Sequence, residues 1–474
     1  MKRQENRIAF QGGAYSLAIT AVVLAILVVI NVLAGSLPSS LMKYDISSSK
    51  LYSITSNTKV VVNALDQDVN IYWIVQSGKE DSVLDNLLSK YASLSDHIQV
   101  IKKNPDVYPT FAKQYTDETV QNNSLVVECG DKNRFISYDD IYLQDSNPYS
   151  YTYNTSFDGE GAITSAIDYV VSDELPQMYV LEGHGETELP ETFKDQLEKE
   201  NVETHSFSLL NEDQIPEDAD VIMIYGPTSD ISVEEETMLA SYVAGGGKLL
   251  VMAGPTKEGT LTNLYGLLND YGVTASDGII VEGDRTHYAF QTPYVLLPDI
   301  AQNDMTDSLI QANYFVIMPL SQGLTVSGYS PSGTVTSLLT TSESAFSKTA
   351  GYSLDTYEKE DGDVDGPFST AISIDAENGG QIVWFGSSMF LDDTYNAYSS
   401  GANDDLAMNA VSSLVGEREA MAIRSKSLNY NYLTINDAVS SLLQVVMIGV
   451  FPLLYLGIGI WVVLKRRSAQ NVPV

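Results

Sequence analysis

Two long uncharged runs bracket the chain. No residue from Ile8 to Met42 carries a charge. The central stretch of that run, residues 14–37, is long enough to cross ~30 Å of hydrocarbon at ~1.5 Å per residue. A second uncharged run extends from Ala438 to Leu464, with a predicted span over residues 440–464, and Lys465, Arg466 and Arg467 follow it directly, as a stop-transfer signal would. Both read as transmembrane helices. A cleaved signal peptide is the alternative for the first run, with Val32-Leu33-Ala34 as a small-residue cleavage site, although its apolar core exceeds the usual ~7–15 residues. A buried core helix is the alternative for the second. Lys2, Arg3 and Arg7 precede the first run, so positive-inside retention puts the tails 1–13 and 465–474 in the cytoplasm and everything between the spans outside the cell membrane.

Between the runs the pattern is that of a soluble α/β protein. Tyr44 to Thr55 is polar and rich in hydroxyl groups, suited to an extended leader or a helix N-cap. Alternating and apolar runs predict strands over Val69–Val75, His97–Ile101, Ser124–Glu128 and Arg134–Ser137, with helices over Ser82–Leu94 and Tyr108–Tyr115. That β-α-β-α-β-β order over residues 44–150 matches a thioredoxin-like unit. Residues Phe157–Val171 read as a helix leading into a second unit, 157–415, with strands over Met178–Leu181, Asp220–Tyr225 and Lys248–Met252. Its helices are predicted over Pro190–Lys199, with Phe193 and Leu197 one turn apart, and after Ser232, where Glu235 completes a capping-box pattern and Gly245 marks the stop. Strands alternating with helices imply a parallel, doubly wound sheet. From Gly278 to Ser337 the pattern turns irregular and β-leaning, and Gln381–Gly386 reads as a late buried strand returning to that sheet.

Charge and cysteine usage narrow the function. The formal net charge is −36, which argues against nucleic acid or an anionic membrane surface as a partner, since both need a basic patch. Cys129 is the only cysteine, so neither an internal disulfide nor C-x-x-C redox chemistry is available, and its place at the end of Leu125-Val126-Val127 suits a small core residue.

The sharpest local feature is Glu182-Gly183-His184-Gly185-Glu186, directly after a predicted strand, where open α/β sheets hold their ligands. Glu182, His184 and Glu186 suit a metal or a polar ligand, and Gly183 and Gly185 let backbone amides approach it; the alternative is a tight turn with a hydrogen-bonded histidine. His97, His205 and His287 have no metal-ligand spacing to His184. Asp361-Gly362-Asp363-Val364-Asp365-Gly366 resembles half of a calcium loop, but the twelfth position is Ile372 where a bidentate glutamate belongs, so a solvated acidic loop is expected. Gly328-Tyr329-Ser330-Pro331-Ser332-Gly333 misses the G-x-S-x-G spacing, and Gly245-Gly246-Gly247-Lys248 is not a P-loop. No catalytic residue, metal or cofactor is expected.

Several segments together carry a family resemblance. They are the leader Asp45 to Thr55, Gly159-Glu160-Gly161-Ala162-Ile163-Thr164-Ser165-Ala166-Ile167, the Leu181 to Glu186 turn, Gly245 to Met252, Asp365-Gly366-Pro367, and Gly386-Ser387-Ser388 after the late strand. In this order, between two apolar runs, they resemble the gliding-motility ABC transporter auxiliary (GldG-like) family. The resemblance implies an ABC permease and a separate ATPase as partners. It also implies a second domain of class I glutamine-amidotransferase-like fold that lacks its catalytic residues. The family often has an aspartate where this chain has Ser387, which weakens a ligand role for that loop. The resulting expectation is a membrane-anchored, non-enzymatic substrate- or partner-binding subunit; the alternatives are an envelope hydrolase using the Glu182–Glu186 turn and a structural or sensory envelope protein.

Overall fold

The computed structural model describes residues 21–26, 28–29, 51, 53–147, 152–210, 214–328, 330–416, 426–428 and 445–470. The chain divides into two compact units, residues 1–427 and 428–474, each taken by itself.

The first sheet grows from capped helices and short apolar strands. Thr55 caps α1 (Ser56–Asn63), which leads to β1 (Val69–Ile74). Asp81 then accepts the amides of Val83 and Leu84 at 2.9 Å and opens α2 (Ser82–Leu94), whose Leu84, Leu87, Leu88 and Tyr91 recur at helical spacing and are buried. Next come β2 (Ile98–Lys103), β3 (Ser124–Cys129) and β4 (Lys132–Ile136). The sheet order is β2-β1-β3-β4, with β2 parallel to β1 and the others antiparallel. The helix expected over Tyr108–Tyr115 is reduced to one 3-10 turn, Ala112–Gln114. Pro109 disfavours helical backbone at Tyr108, and two rings of the apparent helical stripe, Phe111 and Tyr115, instead pack against Tyr72 of β1 in edge-on and tilted contacts.

A polar hairpin follows, β5 (Tyr142–Asn147) with β6 (Thr152–Phe157), which no apolar alternation announced. It precedes α3 (Gly159–Val171), which packs against β3 and β4.

The second sheet is mixed. The chain that builds it runs through β7 (Gln177–Leu181), α4 (Glu191–Lys199), β8 (Glu203–Phe207), β9 (Val221–Tyr225), α5 (Val233–Ala244) and β10 (Lys248–Met252). Short strands β11 (Val273–Ala275) and β12 (Leu324–Val326) and the longer β13 (Gly333–Thr340) and β14 (Ser369–Ala376) lead to β15 (Gln381–Phe385) and α6 (Ala402–Val415). The sheet order is β11-β12-β14-β15-β10-β9-β7-β8, with β13 also on β14. Its parallel part is β15-β10-β9-β7-β8, so β15 returns beside β10 as expected. Alternate residues feed two cores. Met223, Leu250, Met252, Val383 and Phe385 pack with α4 and α6 on one face, and Ile222, Ile224, Leu249, Val251 and Trp384 pack with α5 on the other. Helices thus cover both faces of the parallel part, as its near-continuous apolar strands require.

The acidic loop is held by ions of the chain itself. Lys348 Nζ, with a side chain fully shielded from solvent, reaches Glu360 at 2.5 Å and Asp363 at 3.2 Å, and Lys359 pairs with Asp365. A short strand, Lys426–Ser427, the sixteenth here (β16), pairs with β6.

Among the described residues, no helix is long and apolar enough to cross a membrane. Parts of both expected spans, 14–37 and 440–464, lie outside the described residues. Within them, a helix covers Phe451–Gln470 and its apolar run ends at Leu464.

Candidate functional site

The parallel strands, numbered by chain order from β7, run 2-1-3-4-5, so the order reverses between β7 and β9. Ligands of open α/β sheets sit outside the carboxyl ends of the strands at such a point. Here β7 runs into Glu182–Glu186 and β9 into Gly226–Ile231, so the five residues singled out from the sequence do fall at the switch point.

The side chains of His184 and Glu186 are packed inward. His184 is only 5 % exposed; its Nδ1 lies 3.2 Å from Glu186 Oε1 and its Nε2 3.2 Å from Glu235 on α5. The amides of Gly183 and His184 donate to the other Glu186 oxygen at 2.9 and 2.7 Å. Glu235 Oε2 also accepts the Ser232 amide at 2.7 Å, completing the capping box. Thr228 and Ser229 amides close the loop from the β9 side by donating to His184 O at 3.0 and 2.9 Å. Both glycines sit in the left-handed region, with φ of +127° at Gly183 and +73° at Gly185, and a side chain on Gly185 would collide with Thr228 Oγ1. Glu182 faces solvent, away from this cluster.

Electrostatics make the cluster a charge clasp. The hydrogen bond to Glu186 lifts the imidazole above its ordinary 6.5; burial opposes it and the Glu235 charge adds to it. Burial pushes the Glu186 carboxyl up, but hydrogen bonds from the His184 ring and backbone amides outweigh it and leave it below 4.5. With both ring nitrogens engaged by carboxylates and the residue only 5 % exposed, neither nitrogen is open to a metal or a substrate. Among the described residues, no group of three or more His, Cys, Asp and Glu could hold a metal ion. Cys129 is buried, and burial raises its thiol pKa. Ser387 is fully buried and donates to Pro319 O, so the loop after β15 is closed by packing.

A second cluster, which sequence reasoning missed, gathers around Glu160 at the start of α3. Its side chain is 2 % exposed. Oε1 accepts the Thr55 amide at 2.6 Å and the Thr58 hydroxyl at 2.9 Å, while Oε2 pairs with Lys426 Nζ at 2.7 Å. Lys426 also donates to Ser53 O at 2.6 Å. Tyr91 and Thr164 complete the shell, with the Tyr91 hydroxyl donating to Glu160 O at 3.0 Å. The only signal in the sequence was a lone acid inside the otherwise uncharged Gly159–Ile167 segment.

Comparison with known proteins places the chain. Residues 175–410, about half of it, match the family described as ABC-type uncharacterized transport system. The chain belongs to this ABC transporter auxiliary family. The match starts just ahead of β7 and ends within α6, so it coincides with the second sheet and its β-rich extension. Residues 48–144 match a domain of unknown function, DUF7088, which coincides with the first sheet. No protein of curated function matches. Among solved structures, the chain is similar to the mmIFT52 N-terminal domain, with 17 % identity over 50 % of this chain and 97 % of that one and a TM-score of 0.39. It is also similar to PurLQS from Thermotoga maritima, with 10 % identity over 51 % and 100 % and a TM-score of 0.25. A third is the exo-β-1,4-mannosidase Op5Man5 from Opitutaceae bacterium strain TAV5, with 10 % identity over 69 % and 48 % and a TM-score of 0.29. Likeness this loose carries no argument about fold or activity.

Proposed function

We propose that this auxiliary component is non-enzymatic and membrane-anchored at both ends, with its main domain outside the cell, and that it binds a substrate or partner beside an ABC permease and a separate ATPase. The observation that carries the reading is the Glu160 cluster. Thr55, on the approach from the first apolar run, and Lys426, on the approach to the second, are held by one buried residue, Glu160, and Lys426 in turn donates to Ser53 O, so the chain enters and leaves the outer domain at the same place. One membrane anchor at each end of the chain is compatible with that arrangement. Apolar side chains from Val22 to Val29 and from Phe451 to Leu464 are exposed in the described residues, as lipid-facing ones would be. The β2-β1-β3-β4 order supports a thioredoxin-like first unit, working as a scaffold because Cys129 has no partner thiol. The class I glutamine-amidotransferase-like reading of the second unit rests on the family resemblance, and the self-satisfied His184 turn supports its having no catalysis.

Cysteine labelling tests the topology. In a Cys129→Ala background, an impermeant maleimide applied to intact cells is expected to label Glu258→Cys, an exposed position, and to label Ser468→Cys only after lysis. Labelling of Ser468→Cys in intact cells, or failure at Glu258→Cys, overturns the two-anchor reading.

A further inference from the structure

Lys102 and Lys103 end the edge strand β2 and point to opposite faces. Lys102 is satisfied: its Nζ lies 3.5 Å from Asp85 and 3.8 Å from Glu80, and 4.4 Å from the centre of the Trp73 ring. Lys103 is placed differently. Its ammonium sits 4.8 Å from the Phe111 ring centre, 5.2 Å from Tyr72 and 5.4 Å from Tyr108, within cation–π reach of all three, and it has no ion pair among the described residues. In a chain with 62 acidic and 26 basic residues, a half-buried ammonium without a carboxylate is a notable omission. The nearby Glu128 is taken up elsewhere, accepting the hydroxyls of Tyr72 at 3.1 Å and Tyr115 at 2.6 Å.

The cage opens on a cleft of about 420 Å³, lined among others by Phe111, Pro109, Val120 and Lys113. That volume is in the range of small-molecule sites, ~300–1,000 Å³. Glu118 is also on its wall and is outside ion-pair distance of both lysines. Aromatic faces leave a partly desolvated cation incompletely neutralised, and a guest anion supplies the missing charge while its apolar body covers the rings.

We propose that this cleft binds a small amphipathic anion, a carboxylate or phosphate monoester on an apolar or aromatic body, with Lys103 as the anion contact and Phe111 and Tyr108 as the apolar wall. This goes beyond the transporter reading, and because binding is measured directly, its failure would leave the anchoring untouched.

Isothermal titration calorimetry on the detergent-purified full chain tests it, with phenylacetate, phenyl phosphate and the neutral phenylacetamide as probes. One of the two anions is expected to bind at one site, with the amide weaker by roughly tenfold or more, as loss of a charge-assisted hydrogen bond implies. Stronger binding of phenyl phosphate than of phenylacetate assigns the natural anion to the phosphate class, and the reverse order to carboxylates. Lys103→Met, which keeps the aliphatic stem, is expected to abolish the preference for the anion, while Phe111→Leu weakens all three probes and Lys113→Met changes little. Equal affinity for anion and amide, unchanged anion binding in Lys103→Met, or no binding of either anion up to about 10 mM, tenfold (about 1.4 kcal/mol) weaker than a millimolar site, overturns the proposal.

Discussion

Replacing Lys426 by methionine removes the cation from the junction where both chain approaches meet. Glu160 is 2 % exposed and Lys426 11 %, so solvent screens the pair little. Breaking a buried pair by deleting one partner costs ~3–5 kcal/mol, because the remaining charge stays buried. Glu160 retains hydrogen bonds from the Thr55 amide and the Thr58 hydroxyl, which puts the expected loss near the lower end, about 3 kcal/mol. Glu160→Gln keeps an acceptor for those donors and leaves Lys426 its bond to Ser53 O, so about 1–3 kcal/mol is expected. The double variant should cost less than the two losses added together, by roughly 1–3 kcal/mol, because the second change removes a charge the first one stranded. Urea unfolding of the three variants gives the cycle, and hydrogen exchange shows where the loss falls. Protection should drop first in Ser53–Asn63 and at Lys426–Ser427. Strict additivity, or a Lys426→Met loss under about 0.5 kcal/mol, the range of an ordinary surface change, would show that Glu160 and Lys426 do not act as a buried pair.

Three further outcomes follow from the packing. His184→Gln strands Glu186 and Glu235 and should cost on the order of 3 kcal/mol. Its pH dependence is specific: the raised histidine contributes fully below its ordinary 6.5 and loses that contribution as pH rises through the folded value, while the depressed Glu186 contributes above 4.5 and loses it as pH falls through the folded value. The stability gap to wild type should therefore be widest between 4.5 and 6.5 and narrow on either side; a gap that is flat with pH would contradict the clasp. Gly185→Ala meets both a φ of +73° and Thr228 Oγ1, with an expected loss of about 1–3 kcal/mol, part of which Thr228→Ala should recover in a thermal melt. Millimolar calcium should leave the melting temperature unchanged, since Asp363 and Asp365 are already paired with Lys348 and Lys359; a rise with calcium would reinstate the metal reading of that loop.

Elements whose local chemistry agrees with their tertiary setting were legible in the sequence. Helix α2 and strand β10 have the boundaries their patterns predict, and the Ser232 capping box opens α5 as expected. The Tyr108–Tyr115 stretch has helical spacing too, but its rings serve Lys103 and Tyr72 across the fold, a long-range preference that periodicity does not register. The β5–β6 hairpin lacks an apolar face, so nothing marked it as a strand pair. The His184 turn lies at the end of strand β7, where its sequence position puts it. Its role was hidden because the deciding partner, Glu235, is 51 positions away and read only as a helix cap. Glu160 poses the same difficulty at longer range, since its meaning comes from Lys426, 266 positions on.

An auxiliary component of this kind should work beside a permease and an ATPase in its native membrane. Purifying the full-length protein from its native membrane in mild detergent, and identifying by mass spectrometry what accompanies it, tests that directly. A multi-span permease together with a P-loop ATPase in near-stoichiometric amount is the predicted result. Recovery of the protein alone, from membranes in which it is stably folded, would contradict it.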